Sequence, residues 1–433
     1  MLLHNENITD SVKLSVLNTN KFKASVISFT IILPLTKKNY INNLLLAHIL
    51  RRGTKSYPST ASLNKKLDEL YGSYVETKSH RIGENISLTL TAEILDNKFV
   101  TDKTDVLGET IDIISELILS PIFLDNSFNT SFFEQEKKLI CEAIDAEINN
   151  TRLYATKRCL EIINESLDVP TSRECKELIS STTLDSLAEY HDYLINNGAI
   201  NIFYIGSQDA SSIRNKLSSV FTSYPCKKAI PLIFPRPISR VDAIEISEKM
   251  PVSQGKLVLG LSTGVTVSKT DGATYTGVML NEILGGSASS KLFLNVREKL
   301  SLCYHCSSSY SGYSGILVIS SGFEVKNYEI AKKEIFNQIE DIKRGNISDT
   351  EFEAARLSLT NNYRQIYDSP FELKSFFSNR ALLGISENVE DAISKILSVT
   401  KEDIIALASN IKLIASYFIE GTLTDDYTED EDE

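Results

Sequence analysis

Residues 43–58 read Asn-Leu-Leu-Leu-Ala-His-Ile-Leu-Arg-Arg-Gly-Thr-Lys-Ser-Tyr-Pro. Together with Ile41, the side chains of Leu44, Leu45, His48, Ile49 and Arg52 recur at helical spacing. Gly53 stops that helix, and a turn through Pro58 follows. Beyond the turn, 60–71 reads as a second helix with Leu63, Leu67 and Leu70 on one side, and 72–93 reads as a hairpin turning near 83–85. Upstream, 12–35 reads as two strands joined at 20–23. The same run of helix, turn, helix and hairpin comes round again. His48, Ile49 and Leu50 match Glu282, Ile283 and Leu284, 234 residues on, while Leu70, Tyr74 and Ile86 match Leu300, Tyr304 and Ile316, 230 residues on. Unequal turns between the two helices absorb the difference. The expectation is an α+β protein made by tandem duplication, with mainly antiparallel sheets and helices packed on one face.

The rest of the chain fits two copies. Helical patterns occupy 105–119, 132–163, 184–196 and 212–221, with a strand at 200–205. Residues 224–251 carry Pro225, Pro231, Pro235 and Pro237 and no long helical period, so they read as a linker. The second copy has a strand at 256–261, helices at 275–284 and 291–299, a hairpin to Glu324, three helices and a last strand at 413–419. The expected boundaries are 1–223 for the N-terminal domain, 224–251 for the linker, 252–424 for the C-terminal domain and 425–433 for an acidic tail.

Bulk properties exclude several functions. A chain of 433 residues, 42% hydrophobic and 24% charged, has the make-up of a globular protein with more than one core. The longest nearly apolar stretch, 24–35, is well short of the roughly 20 residues a membrane helix needs. Residues 1–13 carry His4, Glu6 and Asp10 where a secretory leader would be apolar, so a cytoplasmic location is expected. The net charge of -12 is concentrated at the end: 425–433 holds seven acidic residues, without which -5 remains. That end reads as a solvated tail. No dense basic patch invites nucleic acid. Six cysteines are too sparse for a disulfide scaffold and read as small hydrophobes.

The 43–58 segment, followed by Leu-Asp-Glu-Leu-Tyr-Gly at 67–72, resembles the insulinase (pitrilysin) and mitochondrial-processing-peptidase family, whose domains have the LuxS/MPP-like metallohydrolase fold. In that family the first helix carries H-x-x-E-H, two histidines gripping zinc and a Glu activating water. Counted back from Gly53 and Thr54, the motif positions here are Leu44, Ala47 and His48. The family's third ligand, a Glu seven residues after another Glu, falls on Ala143 when counted from Glu136, with Glu142 beside it. Two ligands and the base are missing where catalytic zinc needs about three protein ligands. No metal is therefore expected in this chain. His48, beside Leu44, Leu45 and Ile49, reads as a buried packing or hydrogen-bonded histidine.

The second copy keeps a different feature. Ser-Lys-Leu-Phe-Leu-Asn-Val-Arg-Glu-Lys-Leu-Ser-Leu-Cys-Tyr at 290–304 resembles the family segment in which an Arg and a Tyr seven residues on form a pair, here Arg297 and Tyr304. The resemblance implies that the pair holds substrate near the scissile carbonyl in a zinc site provided elsewhere. Gly285, Gly286 and Ser287 stand where the non-catalytic subunit of the mitochondrial enzyme has a glycine-rich substrate loop; a helix C-cap followed by a Ser N-cap explains them equally well. The resemblance is to bacterial members that lack the zinc motif and occur with a zinc-bearing relative. It implies a non-catalytic subunit that binds peptide and pairs with a homologous peptidase subunit carrying the zinc. A stand-alone peptide-binding or scaffold pseudo-peptidase, monomeric or homodimeric, is the competing reading. Cys303 and Cys306 form a C-x-x-C with no second pair at zinc-finger spacing.

Overall fold

The computed structural model describes residues 3–121, 123–124, 127–221, 224–270 and 272–423; the acidic end, 425–433, lies outside the described residues. The first half runs β1 (Leu3–Thr9), β2 (Val12–Asn18), β3 (Ala24–Pro34), α1 (Lys37–Ile49), α2 (Thr60–Glu69), β4 (Tyr74–Ile82), β5 (Asn85–Leu95), α3 (Val106–Leu119), β6 (Phe123–Leu124), β7 (Ser127–Phe128), α4 (Thr130–Ala146), α5 (Thr151–Ile163), α6 (Ser172–Ser181), α7 (Leu184–Asn197), β8 (Ala199–Gly206) and α8 (Ala210–Phe221). The second half runs β9 (Ile244–Met250), β10 (Gln254–Ser262), α9 (Ala273–Asn281), π-helical stretches Glu282–Gly286 and Leu292–Lys299, β11 (His305–Ser311), β12 (Ile316–Glu324), α10 (Tyr328–Lys343), α11 (Asp349–Gln365), α12 (Pro370–Leu382), α13 (Val389–Ser398), α14 (Lys401–Ser409) and β13 (Lys412–Gly421).

The duplication is explicit in the sheets. One has the order β1-β2-β8-β3-β5-β4 and the other β11-β12-β10-β13-β9. From the β4 and β11 edges inward, both make three antiparallel pairings and then one parallel pairing, β8 with β2 and β13 with β9. The fold is α+β, as expected.

The repeat offset of 230 across the hairpins needs correction. In the first sheet Leu88, Leu90 and Ala92 of β5 share a core with Ile41, Leu45 and Ile49 of α1. In the second, even-numbered Ile316 of β12 lies instead against α5, with Val258 of β10. Successive strand residues point to opposite faces, so a match by an even number sets Ile86 on a residue of the wrong face. The strand starts, Tyr74 and His305, and Asn85 and Ile316, are 231 apart, which restores the faces. Identity of residue type at Tyr74 and Tyr304 had suggested the slip.

Contacts divide the chain into two compact units, Met1–Asp145 with Asp168–Phe234 and Gln365–Glu387, and Ala146–Leu167 with Pro235–Arg364 and Asn388–Glu433. The division is thus not at one linker: α5 belongs with the second sheet and α12 with the first. On α5, Ala155, Cys159 and Ile163 are buried with Val258, Tyr417 and Ile419. Gly260 of β10 allows this approach, since a methyl group there would lie 2.3 Å from Ile163 Cδ1. The expected helix across 132–163 is interrupted at Glu147–Asn149, and the Asn150 side chain caps α5 by accepting from Leu153 N at 3.2 Å. Within the expected linker, Ile244–Met250 is strand β9; its mostly exposed side chains left no apolar period to read. Five helices, not three, lie between β12 and β13.

The first helix is positioned by its ends. Thr36 Oγ1 accepts from Asn39 N at 3.0 Å, and a 3-10 turn, Leu50–Arg52, carries the chain to Gly53. Gly53 has φ +154°, and a methyl group there would lie 2.5 Å from the Tyr57 carbonyl oxygen, so the stop is specific to glycine. Ser59 then opens α2 with a reciprocal capping box to Ser62.

Candidate functional site

In the first unit the helix face that would carry a zinc motif carries an ion-paired network instead. His48 Nδ1 lies 3.0 Å from Glu136 Oε2 on α4, and Arg52 Nε donates to Glu136 Oε1 at 2.6 Å. Arg52 Nη2 contacts the same oxygen. An ionised carboxylate only accepts, so the proton of the first bond sits on His48 Nδ1. The Glu136 side chain is 6% exposed and both of its oxygens are engaged. Arg52 also stacks over Phe132, 5.5 Å from the ring centroid. His48, Arg52 and Glu136 line an open cavity of about 280 Å³ with Ala47 and Thr77.

The residues do not fit zinc. Leu44 packs on the apolar core and Ala47 is buried, and neither has a donor atom. Ala143 is exposed, and Glu142 is a solvent-facing partner of Lys138 at 3.7 Å. The carboxylate nearest His48 already has a guanidinium on it. No group of three His, Cys, Asp or Glu side chains among the described residues is placed to hold a metal ion. The purified chain is expected to hold well under one zinc per molecule by elemental analysis. About one zinc per chain, lost on His48→Ala, would contradict this.

For His48 the hydrogen-bonded alternative holds and the buried one does not: its side chain meets Glu136 of α4 and is 44% exposed. Sequence reasoning missed Arg52 and Glu136 as its companions. The available signal was the spacing of His48 and Arg52, four residues apart on one helical face.

In the second unit the structure brings Arg297 and Tyr304 to one cavity of about 420 Å³, which Cys303, Glu298, Glu324 and Asn327 also line. Arg297 projects from the π-helical stretch Leu292–Lys299, with its guanidinium 4.6 Å from the Phe293 ring centroid and Nε 3.5 Å from Glu298 Oε1. The chain then reverses at Ser301, φ +49°, and the Tyr304 N–H donates to the Gly322 carbonyl at 2.8 Å. That bond sets Tyr304 immediately before β11 with its side chain largely in solvent, 56% exposed. Both side chains therefore present donors to an open cavity.

Gly285 and Gly286 do not form a loop. They end the π-helical turn Glu282–Gly286, which caps at Ser287. A methyl group on Gly285 would lie 2.7 Å from Ser308 N, and one on Gly286 2.8 Å from Asn281 Nδ2. Close packing against β11 accounts for the first glycine without a substrate. Ser287 Oγ is shared with Ser289 Oγ at 3.1 Å.

One residue past Tyr304 the sheet gathers basic side chains. His305 of β11 and Lys256 of β10 both pair with Gly322 of β12, whose missing side chain leaves them adjacent. Burial, then the charges of Arg152, Lys256 and Arg297, push the His305 imidazolium down from the ordinary 6.5 to about 4. Above about pH 6.5 the residue is neutral in folded and unfolded chains alike. As pH falls from there toward 4, the unfolded chain takes up a proton that the folded chain refuses, and stability is lost. His305→Gln should therefore unfold at nearly the wild-type denaturant midpoint near neutrality and gain on wild type as pH approaches 4. Parallel pH profiles of the two proteins would contradict the assignment.

Comparison with known proteins places these geometries in a family. The family model described as the peptidase M16 inactive domain matches residues 181–359. YmfF, a probable inactive metalloprotease of Bacillus subtilis, is 30% identical over 411 residues, covering 94% of this chain and 95% of its own. This chain belongs to the M16, insulinase-type peptidase family. YmxG, an uncharacterized zinc protease of the same organism, is 27% identical over 303 residues, covering 68% of this chain and 71% of its own. The crystal structure of a conserved protein from Enterococcus faecalis V583 has a TM-score of 0.88 over 98% of this chain and 100% of its own, at 24% identity, which speaks for the fold. Within the M16 family this chain is a non-catalytic homologue without the zinc motif. No helix among its described residues is long and apolar enough to cross a membrane.

Proposed function

We propose that this M16 chain is the non-catalytic subunit of a two-subunit cytoplasmic zinc peptidase, binding peptide and supplying Arg297 and Tyr304 to the active site of a zinc-bearing homologous partner. The observation that carries the reading is the pairing of losses and retentions. The zinc positions Leu44, Ala47 and Ala143 hold no donors, while Arg297 and Tyr304 line one open cavity. A core in which the family's chemistry had simply decayed gives no reason for the second pair to stay exposed together. The chemistry suits the role: a guanidinium offers fixed donors to carbonyl oxygens and a phenol adds another. Ser287 would contribute to substrate binding as a rim hydroxyl, with Gly285 and Gly286 serving its placement. That Bacillus subtilis holds both a probable inactive metalloprotease and a zinc protease similar to this chain supports a partner of the second kind.

The test is reconstitution. The chain is mixed with an M16 relative that has an intact H-x-x-E-H, and association and peptide cleavage are measured for each protein alone and for the mixture. The expected result is a mixed complex that cleaves where neither chain alone does. A chain that stays apart from every such relative, yet binds peptide by itself, would favour the stand-alone scaffold.

A further inference from the structure

The C-x-x-C at 303–306 brackets Tyr304. The backbone bends at Tyr304, so Cys303 in the connecting segment and Cys306 on β11 come back to one place. There they meet Ser321 of β12, the residue opposite Cys306, whose hydroxyl donates to Cys303 Sγ at 3.0 Å. The two thiols are also near enough for each to shift the other's ionisation. Cys303, 8% exposed, lines the Arg297 and Tyr304 cavity and so has a path to solvent, while Cys306, 4% exposed, is not part of that lining. Cys159, by contrast, is buried in a core where desolvation pushes it up to about 12.

We propose that Cys303 and Cys306 are a reactive dithiol that a small-molecule disulfide converts reversibly to an internal disulfide, with Cys303 attacking and Cys306 resolving. The Cys303 thiolate attacks one sulfur of the reagent R–S–S–R, forming a protein mixed disulfide and expelling R–S⁻. Cys306 gives its proton to solvent and attacks the Cys303 sulfur, which closes the protein disulfide and expels the second R–S⁻. Two electrons pass from the protein to the reagent, which ends as two thiols. The order of attack follows from the site. Cys303 faces the cavity and accepts from Ser321, and interaction with Cys306 holds its thiol below the ordinary range, while the same interaction, with burial, pushes Cys306 above it. Closure ties together the residues on either side of Tyr304. Where Tyr304 acts as proposed above, the reaction adds redox control of that side chain. The dithiol chemistry itself does not depend on that reading.

The experiment exposes the folded full-length chain to 2-hydroxyethyl disulfide at neutral pH, blocks remaining thiols with N-ethylmaleimide and maps tryptic peptides by mass. The peptide 300–326 contains Cys303 and Cys306 and no other cysteine. It is expected without maleimide and lighter by two hydrogen atoms than the dithiol form, a change reversed by dithiothreitol. Cys306→Ser should stop at a mixed disulfide on Cys303, and Cys303→Ser should leave Cys306 unreacted. Recovery of 300–326 with both thiols alkylated after exposure, or a wild-type chain that halts at the mixed disulfide, overturns the proposal. Should a Ser variant fail to fold, the wild-type map alone decides. Because no peptidase partner is present, failure here leaves the subunit reading untouched, and failure of reconstitution leaves this one untouched.

Discussion

Replacing Arg297 by Ala, or Tyr304 by Phe, in the reconstituted complex is expected to lower turnover at saturating peptide by about 10²-fold or more while folding and subunit association stay near wild type. A peptide carbonyl becomes more negative as water attacks it, so donors placed there act mainly on the transition state and less on binding. Both side chains are free to act this way. Tyr304 is 56% exposed and Arg297 stands over Phe293 with a long contact to Glu298, so neither is consumed by the core. Tyr304→Phe keeps the ring and removes one donor, which separates a working hydroxyl from an aromatic that fills space. The measurement is kcat and KM for the complex, with a melting temperature for each variant. Wild-type turnover in both variants, or losses that merely follow lost stability, would make the pair structural and favour the scaffold reading.

The second large effect concerns the first unit. Arg52→Ala is expected to lower stability by about 3 kcal/mol, because it leaves the Glu136 carboxylate, 6% exposed, with His48 as its one remaining partner in the network. The low end of the buried-pair range applies because the Arg52 side chain is 22% exposed and solvent screens part of its charge. Arg52→Lys should recover part of the loss, keeping charge but not the planar fork. The double change Arg52→Leu with Glu136→Leu should stand much closer to wild type than Arg52→Ala does, since it removes the charge and its partner together. Denaturant midpoints of the four proteins check the order. A single variant as stable as wild type would mean that Glu136 finds other company, and that the network does not hold α1 to α4.

Much of the site was legible before any coordinates. Leu44, Ala47 and Ala143 announce the loss of zinc because metal chemistry needs donor atoms, and their absence is a property of residue type. The helix stop at Gly53 and the spacing of Arg297 and Tyr304 are local as well. What stayed hidden was set by neighbours distant in sequence. Nothing near Glu136 says that it will meet both His48 and Arg52 across 84 or more residues. Gly285 looked like part of a loop because the demand for glycine there comes from Ser308 on another element.

The two copies of an α+β domain, the missing metal ligands and the retained Arg and Tyr were determined by the sequence itself, since hydrophobic period, helix stops and ligand chemistry act over a few residues. The exchange of α5 and α12 between units, the parallel strand β9 inside a proline-rich segment, and the contact of Cys303 with Ser321 were decided by tertiary structure alone. Each depends on burying a face that is equally apolar in several arrangements, or on a hydrogen bond whose partner arrives from another strand, and such choices are made only when the whole core packs.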